Sequence, residues 1–566
     1  MNHNLNKRWE IASKIPLDID QELSAYSPVM RQLLFNRGIT EEIEAYNFLV
    51  TEGPMFDPFL MIGMDAAVER LLRAIENGEK MVVYGDYDVD GVTATVLMVQ
   101  ALRAMGGIAQ EYIPNRFEEG YGVNNDALDA LAADGIKVVL TVDCGIRSPE
   151  EALHAHDLGL DLIISDHHEP RQSLPVACAV ICPKQEGDPY PDKNLAGVGL
   201  AFKIAEALLK TRPMAEVDLK GWLDLVAVGT VADIVPLKGE NRSMVKAGLK
   251  LLNRRQRQGL FSLISTAGID DQRRITARDI GFVIGPRLNA SGRMESAVAS
   301  YQLLMAADEY EAGPLAQKLD NQNRQRQELT TQMQQAAEQM ALAAEGEHLF
   351  FAVNPEFNKG IVGLVAARLV ETYYRPAIVG QQEDEFTRAS CRSIPEFHIT
   401  HALDECASLL VHHGGHAMAA GFTVRNVDLP ELEHRIKEIA ARELGQLDLK
   451  PVLRADLEIA LLDLKPEILR EQEYLEPSGP DNREVQFVTR DLKVVRCKTV
   501  GNEKQHLRLT VSDGRLSYDG IAFRQGAWAE HIPERVDLLY SFEKNSYMGR
   551  ESLQLNVKDI KASGEE

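Results

Sequence analysis

No apolar run of about eighteen residues occurs in this chain, so a membrane span is not expected. The first residues, MNHNLNKRWEIASKIP, lack the apolar core of a signal peptide. Proline and glycine, 24 and 41 of 566 residues, are too sparse for a low-complexity or disordered chain. Six cysteines (Cys144, Cys178, Cys182, Cys391, Cys406, Cys497) are scattered without a C-x-x-C pair. Their spacing gives neither a zinc knuckle nor a disulfide framework, and a reduced, cytoplasmic setting is the expectation. Net positive charge is also lacking. The formal charge is -24, an average that argues against a nucleic-acid partner. Charge acts locally, however. Between Arg242 and Arg293 stand eleven Lys/Arg and three acids, a net of +8. Such a band suits a groove for a polyanion, and a solvated helical face explains it equally well.

What is present is organised in blocks, and the length implies several domains. After an irregular and helical lead-in, Met81–Tyr84, Val138–Val142 and Leu162–Ser165 are short apolar runs alternating with helical patterns at Thr93–Met105 and Ser148–Leu158. This alternation predicts a parallel sheet covered on both faces, with ligands at the carboxyl ends of its strands. Leu315–Glu345 has no Pro or Gly and reads as one long, largely polar helix bridging domains. A second α/β pattern follows: strand Leu349–Val353, helix Ile361–Thr372 and strand Ala377–Val379. Beyond residue 450, Val485–Val488, Leu492–Val495, Leu507–Val511, Gly520–Phe523, Leu538–Phe542 and Leu553–Val557 predict a small barrel.

The strongest local signal is Gly85-Asp86-Tyr87-Asp88-Val89-Asp90-Gly91. An EF-hand loop begins in the same way but needs Glu at its twelfth position, where this chain has Leu97. Three alternating carboxylates on a loop at a strand end are tolerable when a divalent cation compensates them. Asp143 ends the next apolar strand, and Asp166-His167-His168 ends the third. Paired imidazoles beside an aspartate fit one ligand and one neighbour facing substrate. Asp224 and Asp233 bracket a further apolar segment. Asp233, beside a Gly229-Thr230 turn, is the better ligand candidate, and Asp224 orients the segment. Carboxylates with one imidazole and no thiolate suit Mn²⁺ or Mg²⁺. Enough ligands exist for two ions, an arrangement that stabilises both oxygens of a phosphoester displacement.

These motifs, in this order, resemble the DHH phosphoesterase superfamily. GDYDVDG, TVDCGI, SDHH, AVGTVADIVPL and Gly285–Met294 resemble its branch that degrades single-stranded DNA from a 5′ end, over roughly residues 60–566. Gly360–Arg368 and Gly414–Gly421 resemble the accessory domain of that branch. The fold implied is α/β: a parallel-sheet DHH domain (61–313), a connecting helix (314–345), a second α/β accessory domain (346–449) and a C-terminal OB-like β-barrel (450–566), after a lead-in (1–60). By the resemblance, Asp86, Asp88, Asp90, Asp143, His167 and Asp233 hold Mn²⁺ or Mg²⁺, with Asp143 bridging. His168, Asp143 and Asp166 carry the chemistry, with His168 on the scissile phosphate. Arg116, Arg287, Asn289, Arg293, Arg392, Ser393, Gly414, Gly415 and His416 contact the strand. The expected partners are single-stranded DNA and a helicase or single-strand-binding protein, with the chain a monomer. The branch usually carries Trp-His before Gly360 and a Gly-x-Gly-Asn-Pro loop before the barrel. This chain has Phe357-Asn358 and Pro477–Arg483 there.

Two other functions use the same residues. A DHH hydrolase of short oligonucleotides or cyclic dinucleotides needs no bridging helix or barrel. A non-catalytic DNA-binding scaffold is expected to lose ligands, and every metal-motif residue is present.

Overall fold

The computed structural model describes residues 7–50, 53–342, 348–547 and 550–565. Two compact units emerge: Val50–Arg326 with Glu476–Arg483, and Met1–Leu49 with Gln327–Leu475 and Glu484–Glu566.

In the first unit, strands β1 (Lys80–Gly85), β2 (Ile108–Tyr112), β3 (Val138–Val142), β4 (Asp161–Ser165) and β5 (Ala179–Ile181) form a parallel sheet in the order β2-β1-β3-β4-β5. Alternate residues feed opposite cores. Met81, Val83, Leu140 and Ile163 enter one, and Val82, Tyr84, Val139 and Leu162 the other. Burial on both faces explains why these strands read as unbroken apolar runs. The strand order reverses between β1 and β3, so the loops carrying Asp86 and Asp143 leave the sheet at its switch point.

Three helices frame that point. Helix α1 (Val89–Ala104) starts earlier than the sequence pattern implied, because Asp88 caps it by accepting from the Gly91 amide. Asp90 therefore sits in its first turn rather than on a loop. Helix α2 (Gly197–Thr211) is buried along most of its length. Helix α3 (Leu223–Ala232) corrects the expected Gly229-Thr230 turn: both residues are helical and Asp233 is the C-cap. A Cβ at Gly229 would come within 2.8 Å of Val198. That glycine serves close helix packing, which a sequence pattern reads as a turn. Asp224 accepts from Arg257 at 2.8 and 3.2 Å and so orients α3, as expected.

Helix α4 (Gly285–Met294) precedes the long helix α5 (Glu309–Leu342). Gly313 and Pro314 lie inside α5, near its start. Its expected last residues, 343–345, lie outside the described residues.

In the second unit, β6 (Phe350–Asn354), β7 (Ala377–Gln382), β8 (Phe386–Arg392), β9 (Leu410–His416) and β10 (Ala419–Arg425) form a mixed sheet in the order β9-β10-β8-β7-β6. The barrel strands are β11 (Phe487–Val500), β12 (His506–Ser512), β13 (Ser517–Ala522), β14 (Arg535–Tyr547) and β15 (Arg550–Ala562). They pair β11-β12-β13-β15-β14, and β14 closes back onto β11. Two expected strands, 485–488 and 492–495, are one bent strand with a register shift between Thr489 and Leu492. The lead-in is not peripheral to this unit. Arg8–Ile11 pairs in parallel with Val452–Ala455, and Leu23, Leu33 and Leu34 enter the same core as Phe487, Leu509 and Val536.

The two departures from the family pattern are both structural. Phe357 is buried, and the Asn358 side chain accepts from the Gly360 amide at the start of the helix Val362–Tyr373. Within the first unit, the Pro477 carbonyl accepts from Arg242, and the Pro480 carbonyl accepts from the Leu237 amide.

Candidate metal centre

Three strand ends and the end of α3 bring the predicted ligands together. Three overlapping groups have donor atoms within 4.8 Å of one another: Asp86, Asp88 and Asp143; Asp143, His167 and His168; and Asp90, His167 and Asp233. Asp143 belongs to two of them. His167 Nε2 lies 3.1 Å from Asp143 Oδ1 and 3.5 Å from Asp233 Oδ2. Asp143 has φ 65°, a left-handed conformation that aspartate tolerates better than most residues, and it turns the chain sharply after β3.

The electrostatics of this cluster are unfinished. Burial, then the Asp88 charge, pushes the Asp86 carboxyl well above the usual carboxylate range. Asp143 moves the same way through burial and then the charges of Asp90 and Asp88. Asp90 is pushed up to about 7 and Asp233 to about 9, each by burial first and the neighbouring carboxylates second. His167 is pushed down to about 3, mainly by burial and then by His168, so its imidazole is neutral and its lone pair is free to ligate. Asp86 Oδ1, Asp143 Oδ1 and His167 Nε2 are buried without a hydrogen-bond partner. Buried polar atoms are normally satisfied. Orphaned acceptors of this chemistry, crowded among carboxylates, fit a hard divalent cation.

His168 is held differently. Its Nδ1 meets Asp166 Oδ1 at 2.7 Å, and its amide donates to the same oxygen. The other Asp166 oxygen accepts from the Ile146 amide at 2.9 Å. Burial raises the Asp166 carboxyl, but the His168 hydrogen bond and charge and these amides outweigh it and hold it below its ordinary value. For His168, burial favours the neutral ring, and Asp166 overrides it and raises the pKa. Asp166, expected among the catalytic residues, belongs to none of the three groups and is hydrogen-bonded to His168.

Two contributors were missed in the sequence. Both Asp90 oxygens accept amides at the start of α2, from Gly197 at 2.6 Å and Val198 at 2.9 Å. A Cβ at Gly197 would lie 2.6 Å from the Asp143 Cβ, so only glycine lets α2 approach so closely. The visible signal was Gly197-Val198-Gly199 opening an apolar helix. Tyr121, set between Gly120 and Gly122 at φ 88° and 89°, places its hydroxyl 3.3 Å from His168 Nδ1.

The expected strand contacts are scattered. The Arg116 guanidinium stacks 4.1 Å over the Tyr87 ring, with Nε buried and unpartnered. Arg287 is tied to Asp320 of α5 at 3.0 Å and to the Val283 carbonyl. Asn289 and Arg293 are half-buried on α4. In the second unit, Arg392 donates to the Cys391 carbonyl. Ser393 is buried, its hydroxyl spent on the Phe397 carbonyl at 2.6 Å. Gly414, Gly415 and His416 lie exposed along β9. Four cations of the basic band are paired in place: Arg255, Arg257, Arg273 and Arg287 with Asp271, Asp224, Asp279 and Asp320. Of the barrel aromatics, Tyr540 and Phe542 are core, Trp528 is half-buried and Phe523 is exposed. The Tyr547 side chain lies outside the described residues.

Three known domain families match this chain: the DHH family N-terminal domain over residues 80–230, the DHHA1 domain over 346–443 and the RecJ OB domain over 455–559. The single-stranded-DNA-specific exonuclease RecJ of Bacillus subtilis is 38% identical over 98% of this chain and 71% of its own length. The crystal structure of RecJ in complex with Mn²⁺ from Thermus thermophilus has a TM-score of 0.86 at 27% identity, covering 99% of this chain and 80% of that one. A manganese-bound exonuclease RecJ structure has a TM-score of 0.61 at 32% identity, covering 70% of this chain and 99% of that one.

Proposed function

The chain belongs to the RecJ family of single-stranded-DNA-specific exonucleases, and from that membership we propose that it hydrolyses single-stranded DNA from a 5′ end to mononucleotides, using Mn²⁺ or Mg²⁺. One observation supports this most directly: three orphaned buried acceptors sit among four carboxylates whose ionisation is suppressed by one another and by burial.

Asp86, Asp88, Asp90, Asp143, His167 and Asp233 are the residues that would hold the ions, and Asp143 and His167 each belong to two of the ligand groups. When bound, a pair of such ions supplies a nucleophile at neutral pH and neutralises charge on the phosphoryl oxygens. The helix amides of Gly197 and Val198 keep Asp90 aimed and partly neutralised. Asp166 holds His168 by Nδ1, leaving Nε2 to donate to the scissile phosphate, and the raised pKa keeps that proton in place. Arg116 on the Tyr87 ring is the proposed clamp for the 5′ phosphate, where a guanidinium fork matches phosphate oxygens. Arg287, Asn289, Arg293, Arg392, Ser393, Gly414, Gly415 and His416 remain proposed strand contacts.

The deciding experiment incubates the protein with Mn²⁺ or Mg²⁺ and strands labelled at either end. Mononucleotides should appear first from the 5′ label, and a duplex with blunt ends should resist. Release first from the 3′ label reverses the polarity. Cleavage confined to dinucleotides replaces the substrate with a short oligonucleotide.

A further inference from the structure

Two large exposed apolar side chains, one next in sequence to a proposed ligand and one next to α4, serve no part of that mechanism. Ile234 directly follows the proposed ligand Asp233 and is 71% exposed. Its φ is 63°, an outlier for a β-branched residue and a cost the surrounding fold must offset. Phe282 is 78% exposed and sits in a five-residue π-helical turn, Ile280–Ile284, immediately before α4. Such turns carry an extra residue and recur at functional sites. Here Ile280 and Ile284 are buried, while Phe282 between them faces solvent.

Both residues flank one contact. The last turn of α3 packs on the π-turn and the start of α4 through glycines: a Cβ at Gly281 would lie 4.0 Å from Val231 Cγ1, and one at Gly285 would lie 3.5 Å from the Ala232 Cβ. Ile234 lies two residues past Ala232 and Phe282 one residue past Gly281. Ile234 also follows Asp233, whose carboxylate lies 3.5 Å from His167. Phe282 precedes α4, which carries Arg287, Asn289 and Arg293.

We propose that Phe282 and Ile234 form an apolar step that receives the nucleobases of the strand whose phosphates the cluster handles. This rests on the exonuclease reading above. A polynucleotide offers a protein two chemistries, charged phosphates and flat bases. Carboxylate-bound cations and arginines answer the first, and an exposed aromatic with an aliphatic neighbour answers the second. Bases are free to lie on such a step when the strand is unstacked, so the step adds to single-strand preference without reading sequence.

The test compares a 5′-phosphorylated strand with one of the same length whose residues are all abasic (tetrahydrofuran), in Mn²⁺. The wild-type kcat/KM should favour the base-bearing strand by about five- to a hundredfold, the worth of one base–aromatic stack. Phe282→Ala should lose most of that ratio, Ile234→Ala part of it, and Phe282→Trp should keep or raise it. The ratio cancels a general loss of folded enzyme, and the Trp variant checks that the ring itself matters. A Phe282→Ala protein that keeps the wild-type ratio overturns the proposal, as does a wild-type protein that degrades both strands alike. A wild-type protein that degrades neither overturns the exonuclease reading and this inference with it.

Discussion

Two of the places in this chain that were expected to meet DNA differ in kind. The aspartate–histidine cluster at the switch point of the first sheet is buried, crowded with like charge and left with orphaned acceptors. The Gly414-Gly415-His416 stretch of β9 is exposed and ladder-paired to β10. A buried polar group without a partner has a cost that some ligand must relieve. An exposed one is satisfied by water. Hence the first region declares its ligand class from its own geometry, and the second depends on resemblance for its role.

The comparison is broken most directly at Asp143. Asp143→Asn should lower single-turnover hydrolysis by about a thousandfold or more while strand affinity persists, because a shared ligand acts as a unit with its neighbours. Turnover near wild type at saturating Mn²⁺ would remove Asp143 from the bridging role.

A subtler test uses pH without mutation. Asp90 and Asp233 are raised to about 7 and about 9 in the folded, metal-free protein, against ordinary unfolded values. A raised folded pKa gives stability that is present below the unfolded value and lost as pH rises through the folded one. His167, lowered to about 3, acts in the opposite direction only below its ordinary value of 6.5. Between pH 6.5 and 9 the carboxylates therefore dominate. In chelator, the thermal midpoint should fall across that window, and Mn²⁺ should flatten the fall. A profile equally flat in both conditions would mean that the cluster titrates in the ordinary range.

The smallest effect belongs to β9. Gly415 has φ 144°, and a Cβ there would run into the Ala419 carbonyl. Gly415→Ala should weaken strand binding by a few-fold, since its Cβ would meet backbone atoms at 2.4 and 2.5 Å and force the exposed edge strand to move, and it should leave the Mn²⁺ effect on the thermal midpoint intact. A loss as large as that of Asp143→Asn would place the two regions in one energetic class.

Much of the site was legible because its residues end strands. A run such as Val138–Val142 announces a buried parallel strand, and the residue after it must emerge at the carboxyl edge whatever the details of packing. Asp86, Asp143 and Asp166 follow from that rule. Legibility failed where one residue pattern serves two structures. Gly229-Thr230 read as a turn because glycine permits turns, yet here it lets α3 press against Val198. The basic band read equally as a groove or a solvated face, and pattern alone did not show that two of its arginines have partners distant in sequence: Asp224 lies 33 residues from Arg257, and Asp320 lies 33 from Arg287.

By itself, the sequence determined the class of chemistry and the alternation of strands and helices, and it named the acids and histidines that the fold brings together, since each depends on residue type and local period. Only the tertiary structure decided which carboxylate is aimed by helix amides, which imidazole is tethered and which is left without a partner, and which aromatic faces solvent. Those outcomes depend on burial and on the approach of segments far apart in the chain, and neither is a property of a local window.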